Sequence, residues 1–528
     1  MSTYLDYGNK TSQRISALLA LEGLAGVPNR YEEFMKLDQQ LRKFIGTNTP
    51  IVMADNYEHF MAVLPHRDYA AQHVLIRKQI GGFTVAAGFW KWLEFLSHQL
   101  THDEVELAAD FYSGKHNSHP RQFNRDYWKH VVDDCNGYWP IRIETVGEGA
   151  VFTGVPFPVA QIYGETPAVW VNEPMYIQVG HLTHVATVAA QFAEVLGDPW
   201  RFIEVMFRAL HNAEESPDVL LAMLIGGGII STSNDLGAFI NGAPFKSAGT
   251  TGHCWYQQWD TFKDSLRVLL GSELGKFATV LLDVNDHQHG FKELLEVIDE
   301  GYHPPFADRP DSGNTLELGM HDLMVLEDRD QHINVVFEDG KKPIDAQDAE
   351  KRRRQLGLSK ERAIYGAGGS FLGPRSALEA AYKACFFHDG TPTSQVNPLD
   401  TMKICLGDPM KASIPGLIEC PFNETTGFYM VSEKGEIPRG YRPGYSVLYD
   451  GVTKPGQPYF NPDYDPSNLA TCQAVLKGIE ASRRTRTTLG PAFMQDLTAN
   501  KTQIGMTKAV REKRARIYER ALKTVSGK

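Results

Sequence analysis

The sequence predicts an α/β protein built on a parallel sheet or barrel, with an α+β unit ahead of it. Three observations carry this. Between Thr279 and Arg375, four short apolar runs (TVLLDVND, ADRPDSGN, INVVFEDG and AIYGAGGS) each end in Asp, Arg or Gly. Their markers Asp283, Asp311, Asp339 and Gly368 recur at intervals of 28, 28 and 29 residues. Stretches that read as helices fill the gaps: FKELLEVI, LELGMHDLMVL and AEKRRRQLGL, with PRSALEAAYKACFF after the last run. A buried strand, a polar turn and an amphipathic helix at constant period is the βα unit of a parallel sheet or barrel. In such folds the C-terminal strand ends carry the chemistry. Here those ends hold Asp283, Asp286, Arg309, Asp311, Asp339 and a glycine-rich turn, which meet on one rim if the barrel closes.

Composition narrows the class. A chain of 528 residues has room for two or more domains and a large core. With 42% hydrophobic and 22% charged residues it is an ordinary globular protein. A net charge of −11 argues against nonspecific nucleic-acid binding. The six cysteines show no CxxC pair, so neither a disulfide framework nor a zinc site is expected. Reduced thiols in the cytoplasm are the simplest reading. MSTYLDYGNK has no signal-peptide pattern, and VLLAMLIGGGII is too short and too glycine-broken to span a bilayer.

In chain order, residues 1–50 read as a helical arm. Residues 74–96 read as strand, Gly-Gly turn, strand and helix, with Phe89, Trp90 and Trp92 as core. Residues 139–164 alternate apolar and polar with Gly and Pro breaks, the pattern of antiparallel strands. A long helix is expected around 170–196. LLAMLIGGGIISTSNDLGAFI at 220–240 reads as strand, polar turn and helix, with Ser233 or Asn234 near the helix start. That position suits an anion or, equally, a plain N-cap. His253 follows a Gly/Thr turn in SAGTTGHCWYQQW. Residues 401–416 read as a further strand and turn. Residues 420–465 read as short strand-like pieces, and the basic tail from 466 as helix with a solvated face.

The rim suits a sugar phosphate. Gly366, Gly368 and Gly369 let backbone amides approach a phosphate. Asp339, one βα unit earlier, can accept from ribose hydroxyls or support magnesium. Arg309 can neutralise phosphate oxygens, and Asp311 lies two residues on, on the same strand face. Carboxylates beside anion donors would stabilise a positive anomeric carbon while holding a leaving phosphate. A plain structural ion pair between Arg309 and Asp311 is the alternative.

RPDSGN, the TSN turn, GTTGH and GDPMKASIPG together resemble the nicotinate and nicotinamide phosphoribosyltransferases, type II phosphoribosyltransferases of NAD salvage. DNYEHFM, GGFTVAAGF and GEGAVFTGVPFPVAQIYG match that family's earlier blocks, in order, over roughly residues 51–420. The resemblance implies an irregular α/β barrel with an α+β domain built from both chain ends. The corresponding parts are an arm at 1–50, an α+β domain at 51–165 completed by 421–528, and a barrel at 166–420. It implies a homodimer with the active site at the interface. The reaction would join a pyridine nitrogen to 5-phosphoribosyl 1-pyrophosphate, with Mg2+, and release pyrophosphate. His253 matches the histidine that ATP phosphorylates, and Asp283 a carboxylate beside it. Arg309 and Asp311 match residues contacting pyridine or ribose. Asp339, Gly340, Gly368 and Gly369 match the 5-phosphate cradle. Tyr57 matches an aromatic stacking on the partner subunit's pyridine. Nicotinamide enzymes of this family carry Asp where this chain has Ser233, so Ser233 and Asn234 favour nicotinate. RPDSGN is closer to the nicotinamide branch, which makes nicotinamide the alternative. Where the family has an aromatic followed three residues later by Arg, Phe207 is followed here by Leu210, with Arg208 and His211 as candidate replacements.

Overall fold

The computed structural model describes residues 50–112, 123–210, 212–242, 244–247, 250–338, 341–371, 377–404, 412–465, 467–497 and 502–526. The arm expected at 1–50 lies almost wholly outside them, as do Asp339 and Gly340.

Two seven-stranded sheets organise these residues. In chain order their strands are β1 (Tyr69–Ile76), β2 (Ile141–Thr145), β3 (Phe157–Glu165), β4 (Phe202–Glu204), β5 (Ser231–Thr232), β6 (Lys246–Ser247) and β7 (Thr279–Leu281). They continue with β8 (Ala307–Arg309), β9 (Asn334–Phe337), β10 (Ala363–Ala367), β11 (Ala381–Gly390), β12 (Gln395–Asp400), β13 (Ser446–Asp450) and β14 (Tyr459–Phe460). The antiparallel sheet runs β12-β11-β1-β3-β2-β13-β14 and thus draws on both ends of the described chain. Its core contains Trp92, Trp128 and Trp139, and Trp92 Nε1 donates to the Asn172 side chain.

The second sheet is parallel and curled, in the order β6-β5-β4-β10-β9-β8-β7, an irregular α/β barrel. Its strands run only two to five residues, matching the short apolar runs. The sheet's two outer strands are bridged by Thr251, whose N–H and hydroxyl both donate to the Thr279 carbonyl, at 3.1 and 2.7 Å. Three of the expected helices follow their strands, at His287–Asp299, Thr315–Asp328 and Pro343–Gln355. The first two are capped by Asp286 and Asn314, whose carboxylate and amide oxygens accept the backbone N–H groups of His289 and Glu317.

Three expectations change. PRSALEAAYKACFF reads as a helix, yet β11 occupies its second half. Pairing along the whole length of β1 outweighs the helical propensity of its alanines. The stretch opening at 220 reads as a strand, yet Ser216–Gly227 is a helix buried nearly all round. A helix with no solvated face has no 3.6-residue pattern to show. At 401–416, residues 401–404 are not a strand and 405–411 lie outside the described residues.

The glycines of LIGGGII have a packing role. A Cβ on Gly226 would sit 1.9 Å from the Ala186 carbonyl oxygen of the Met175–Leu196 helix, and one on Gly227 2.5 Å from that of Ala189. Gly228 then ends the helix with a left-handed φ of 68°. Gly226→Ala should therefore destabilise the protein by roughly 1–3 kcal/mol through overpacking. A urea titration checks this, and an unshifted midpoint would contradict the close approach.

Candidate active site

Residues along a strand alternate between its faces, so two positions per barrel strand point inward near its end. These stack in layers. Ile203, Ala307, Val336 and Ile364 form an apolar plug across the barrel. One step toward the C-terminal ends, Val205, Arg309, Glu338 and Gly366 line a cavity together with Ser233 and Thr250. Gly366 makes room for its neighbour, since a Cβ there would approach the Glu338 Cγ to 3.1 Å.

Arg309 dominates this layer, although only 8% exposed. Its Nη1 donates to the Glu338 carboxylate at 3.1 Å and to the Thr250 hydroxyl at 3.2 Å. Its Nη2 lies 3.5 Å from Asp311. Its Nε is buried and has no partner among the described residues. Burial pushes the Glu338 carboxyl up, Arg309 opposes this, Asp311 adds to it and Arg208 opposes it. The net displacement is upward.

Beside this cluster, His253 Nε2 lies 3.0 Å from Asp283 Oδ1. The segment that carries His253 is tied to β7. Tyr256 OH lies 2.6 Å from the Thr251 hydroxyl and accepts the Leu281 N–H at 3.1 Å. The contacts that bridge the barrel's edges therefore also bring His253 to Asp283. The Asp283 side chain is 4% exposed, while His253 is partly open. Burial raises the Asp283 carboxyl, but hydrogen bonds from Ser312 and His253 and the nearby imidazole outweigh it. The carboxyl is held below the ordinary range. Ligand atoms of His253, Asp283 and Asp311 all lie within 4.8 Å of one another. A hard cation such as Mg2+ takes carboxylate oxygens and completes its shell with water and phosphate oxygens. Asp283 and Asp311 fit that demand.

The structure thus brings together His253, Asp283, Arg309, Asp311 and Ser233. Phe207 stands just past the end of β4, 43% exposed, on the turn Phe207–Ala209. Arg208 on that turn is near enough to lower the Glu338 carboxyl electrostatically. His211 lies outside the described residues.

The structure gives two further expected residues a local packing role. Asn234 is fully buried, and its Oδ1 accepts the Gly237 N–H at 3.0 Å, as the N-cap of Asp235–Asn241. It is a cap and does not line the cavity. Gly368 is required by backbone packing, because a Cβ would lie 2.6 Å from the Val205 carbonyl oxygen. Only Gly369 opens onto free space. Tyr57, expected at the partner subunit's pyridine, sits on the helix Asn56–Val63 with its hydroxyl on Glu173, and no described hydrogen bond or ring contact joins it to its own chain's mouth. Sequence reasoning missed Glu338, Thr250 and Ser312. Strand alternation places Glu338 on the same face as Val336, a signal that was available.

No protein-family model matches the chain. A nicotinamide phosphoribosyltransferase of Xanthomonas campestris pv. campestris (strain 8004) is 21% identical over 372 residues, covering 61% of this chain and 77% of that one. Human nicotinic acid phosphoribosyltransferase superposes with a TM-score of 0.59 at 17% identity, covering 88% of this chain and 100% of that one. A nicotinate-nucleotide pyrophosphorylase from Pyrococcus furiosus gives 0.55 at 14% identity, covering 83% and 95%. The chain therefore resembles the nicotinate and nicotinamide phosphoribosyltransferases in sequence and shares the irregular barrel of these two structures.

Removing one member of a buried pair strands the other's charge. Arg309→Ala should destabilise the protein by roughly 3–5 kcal/mol. Adding Glu338→Gln should recover at least half of that, because no unpaired carboxylate then remains. Thermal unfolding of both variants reads this, and additive losses would mean that the pair is not coupled.

Proposed function

We propose that this chain is a phosphoribosyltransferase of NAD salvage. It transfers the phosphoribosyl group of 5-phosphoribosyl 1-pyrophosphate to the ring nitrogen of a pyridine. The observation that carries this reading is the cluster of His253, Asp283 and Asp311 against Arg309, at the ends of the neighbouring strands β7 and β8. The similarity to pyridine phosphoribosyltransferases in sequence and fold supports it.

In the reaction, the pyridine nitrogen's lone pair forms a bond to the anomeric carbon. The bond from that carbon to the pyrophosphate oxygen breaks, and pyrophosphate leaves with the electron pair. Asp311 stabilises positive charge developing on the sugar carbon. Arg309, whose Nε is free among the described residues, has a donor to offer the bound substrate. Phe207 packs on the pyridine, and the turn at Gly368 and Gly369, with Asp339 and Gly340, holds the 5-phosphate. Mg2+, held by Asp283 and Asp311, would neutralise pyrophosphate charge when bound. ATP is a co-substrate. Asp283 engages His253 Nε2 and leaves the Nδ1 lone pair to attack the γ-phosphorus of ATP; the bond to the β–γ bridging oxygen breaks, ADP leaves with the electron pair, and later hydrolysis of the phosphohistidine to histidine and phosphate drives synthesis forward. The reading includes a homodimer in which Tyr57 serves the partner's mouth rather than its own. The exposed Met53, Tyr57 and Phe60 on and beside one helix favour such a contact.

Two acceptors fit this chemistry. Nicotinate is favoured by Ser233, which puts no carboxylate where the family's amide enzymes have one. Nicotinamide is favoured by Glu338, which supplies one from another strand.

Product formation from each pyridine, with and without ATP, tests the reading. His253→Ala should lose the ATP stimulation and keep basal transfer; equal stimulation in variant and wild type would refute the histidine's role. Asp311→Ala should fold normally and lose on the order of 100-fold in kcat/KM. Unchanged turnover would reduce Asp311 to a structural ion-pair partner.

A further inference from the structure

Resting on the pyridine-transfer reading above, we infer that Glu338 sets the choice of acceptor, selecting the neutral carboxamide over the carboxylate. Ser233, Thr250, Arg309 and Glu338 line one cavity, and within it Arg309 Nη1 touches the Glu338 carboxylate at 3.1 Å. The pair offers a cationic donor and an anionic acceptor side by side. A primary carboxamide is its complement, with a carbonyl that accepts from Arg309 and an N–H that donates to Glu338. A carboxylate substituent would satisfy Arg309 but bring two anions together in a buried site.

The charge balance points the same way. Arg309 is already engaged by Glu338 and, at 3.5 Å, by Asp311. An anionic ring would have to compete with both carboxylates for one guanidinium. Arg208, on the turn past β4, acts on Glu338 electrostatically. Ser233 offers only a hydroxyl, which either substituent can use. The discriminating element is therefore the repulsive one. It lies just past the end of β9, whereas the family's substrate-facing acid would fall at the end of β5.

The test compares kcat/KM for nicotinamide and nicotinate in wild type, Glu338→Gln and Glu338→Asp, with calorimetric binding of each pyridine alongside. Wild type should favour the amide by on the order of tenfold or more. Glu338→Gln keeps a hydrogen-bond partner for Arg309 but removes the charge, and should move the ratio toward the acid by a similar factor. Glu338→Asp keeps the charge and should keep the amide preference. A wild type that prefers the acid, or a ratio unmoved by Glu338→Gln, overturns this role while leaving pyridine transfer standing. If folded wild type neither binds nor converts either pyridine, the transfer reading falls and the selection goes with it.

Discussion

A guanidinium buried at the mouth of a barrel is the constraint on which the rest of this site depends. Burying the Arg309 charge without partners would cost several kcal/mol. Glu338, Asp311 and Thr250 meet that need from three directions. Their positions follow from the barrel. Arg309 and Glu338 stand on adjacent parallel strands, each two residues beyond a plug residue, Ala307 and Val336. Gly366 on the next strand gives Glu338 room, since a Cβ there would press on the glutamate side chain. The charged layer begins immediately above this apolar plug.

The closing of the sheet and the placing of the histidine are one set of contacts. Thr251 binds the Thr279 carbonyl twice, and Tyr256 binds both Thr251 and the Leu281 N–H. His253 lies between Thr251 and Tyr256, so it is held where Asp283, two residues past the end of β7, can reach it. A change that loosened this edge would therefore reach the His253–Asp283 pair without touching either member. The arrangement spreads the cost of orienting His253 over contacts that the fold needs in any case.

Much of this was legible in the sequence, for a physical reason. Barrel strands are short and buried, and each ends where polarity returns, so the 28-residue spacing marked Asp283, Arg309 and Asp311 directly. Glu338 was overlooked because it sits beside the more conspicuous Asp339, and only strand alternation separates the two. The helix Ser216–Gly227 was hidden because a segment buried on all sides has no amphipathic period. Strand β11 was hidden because its partner β1 lies some 300 residues earlier in the chain, and local propensity carries no information about so distant a pairing. The glycines show a different limit. Gly366 and Gly368 look alike in sequence, but one makes room for a carboxylate and the other lies against a carbonyl. Composition cannot distinguish these roles from a phosphate cradle.

The order of strands around the barrel also sorts charge. Carboxylates cluster along β9, β8 and β7, as Glu338, Asp311 and Asp283, while Arg208 and the open Gly369 lie past the ends of β4 and β10. The mouth therefore has an acidic side and a side of cation and amide. A substrate that joins an electron-poor sugar carbon to phosphates is divided in the same sense. On the acidic side a positive carbon is stabilised, and Mg2+ would be needed there before pyrophosphate could approach Asp283 and Asp311. On the other side a terminal phosphate needs no metal, because backbone N–H groups suffice. A neutral ring placed over the Arg309–Glu338 pair disturbs neither side, whereas a negative one adds charge where two carboxylates, Glu338 and Asp311, already engage a single guanidinium. Under the proposed reading, charge sorting of this kind would link acceptor choice to the same layer of residues that holds the reacting carbon.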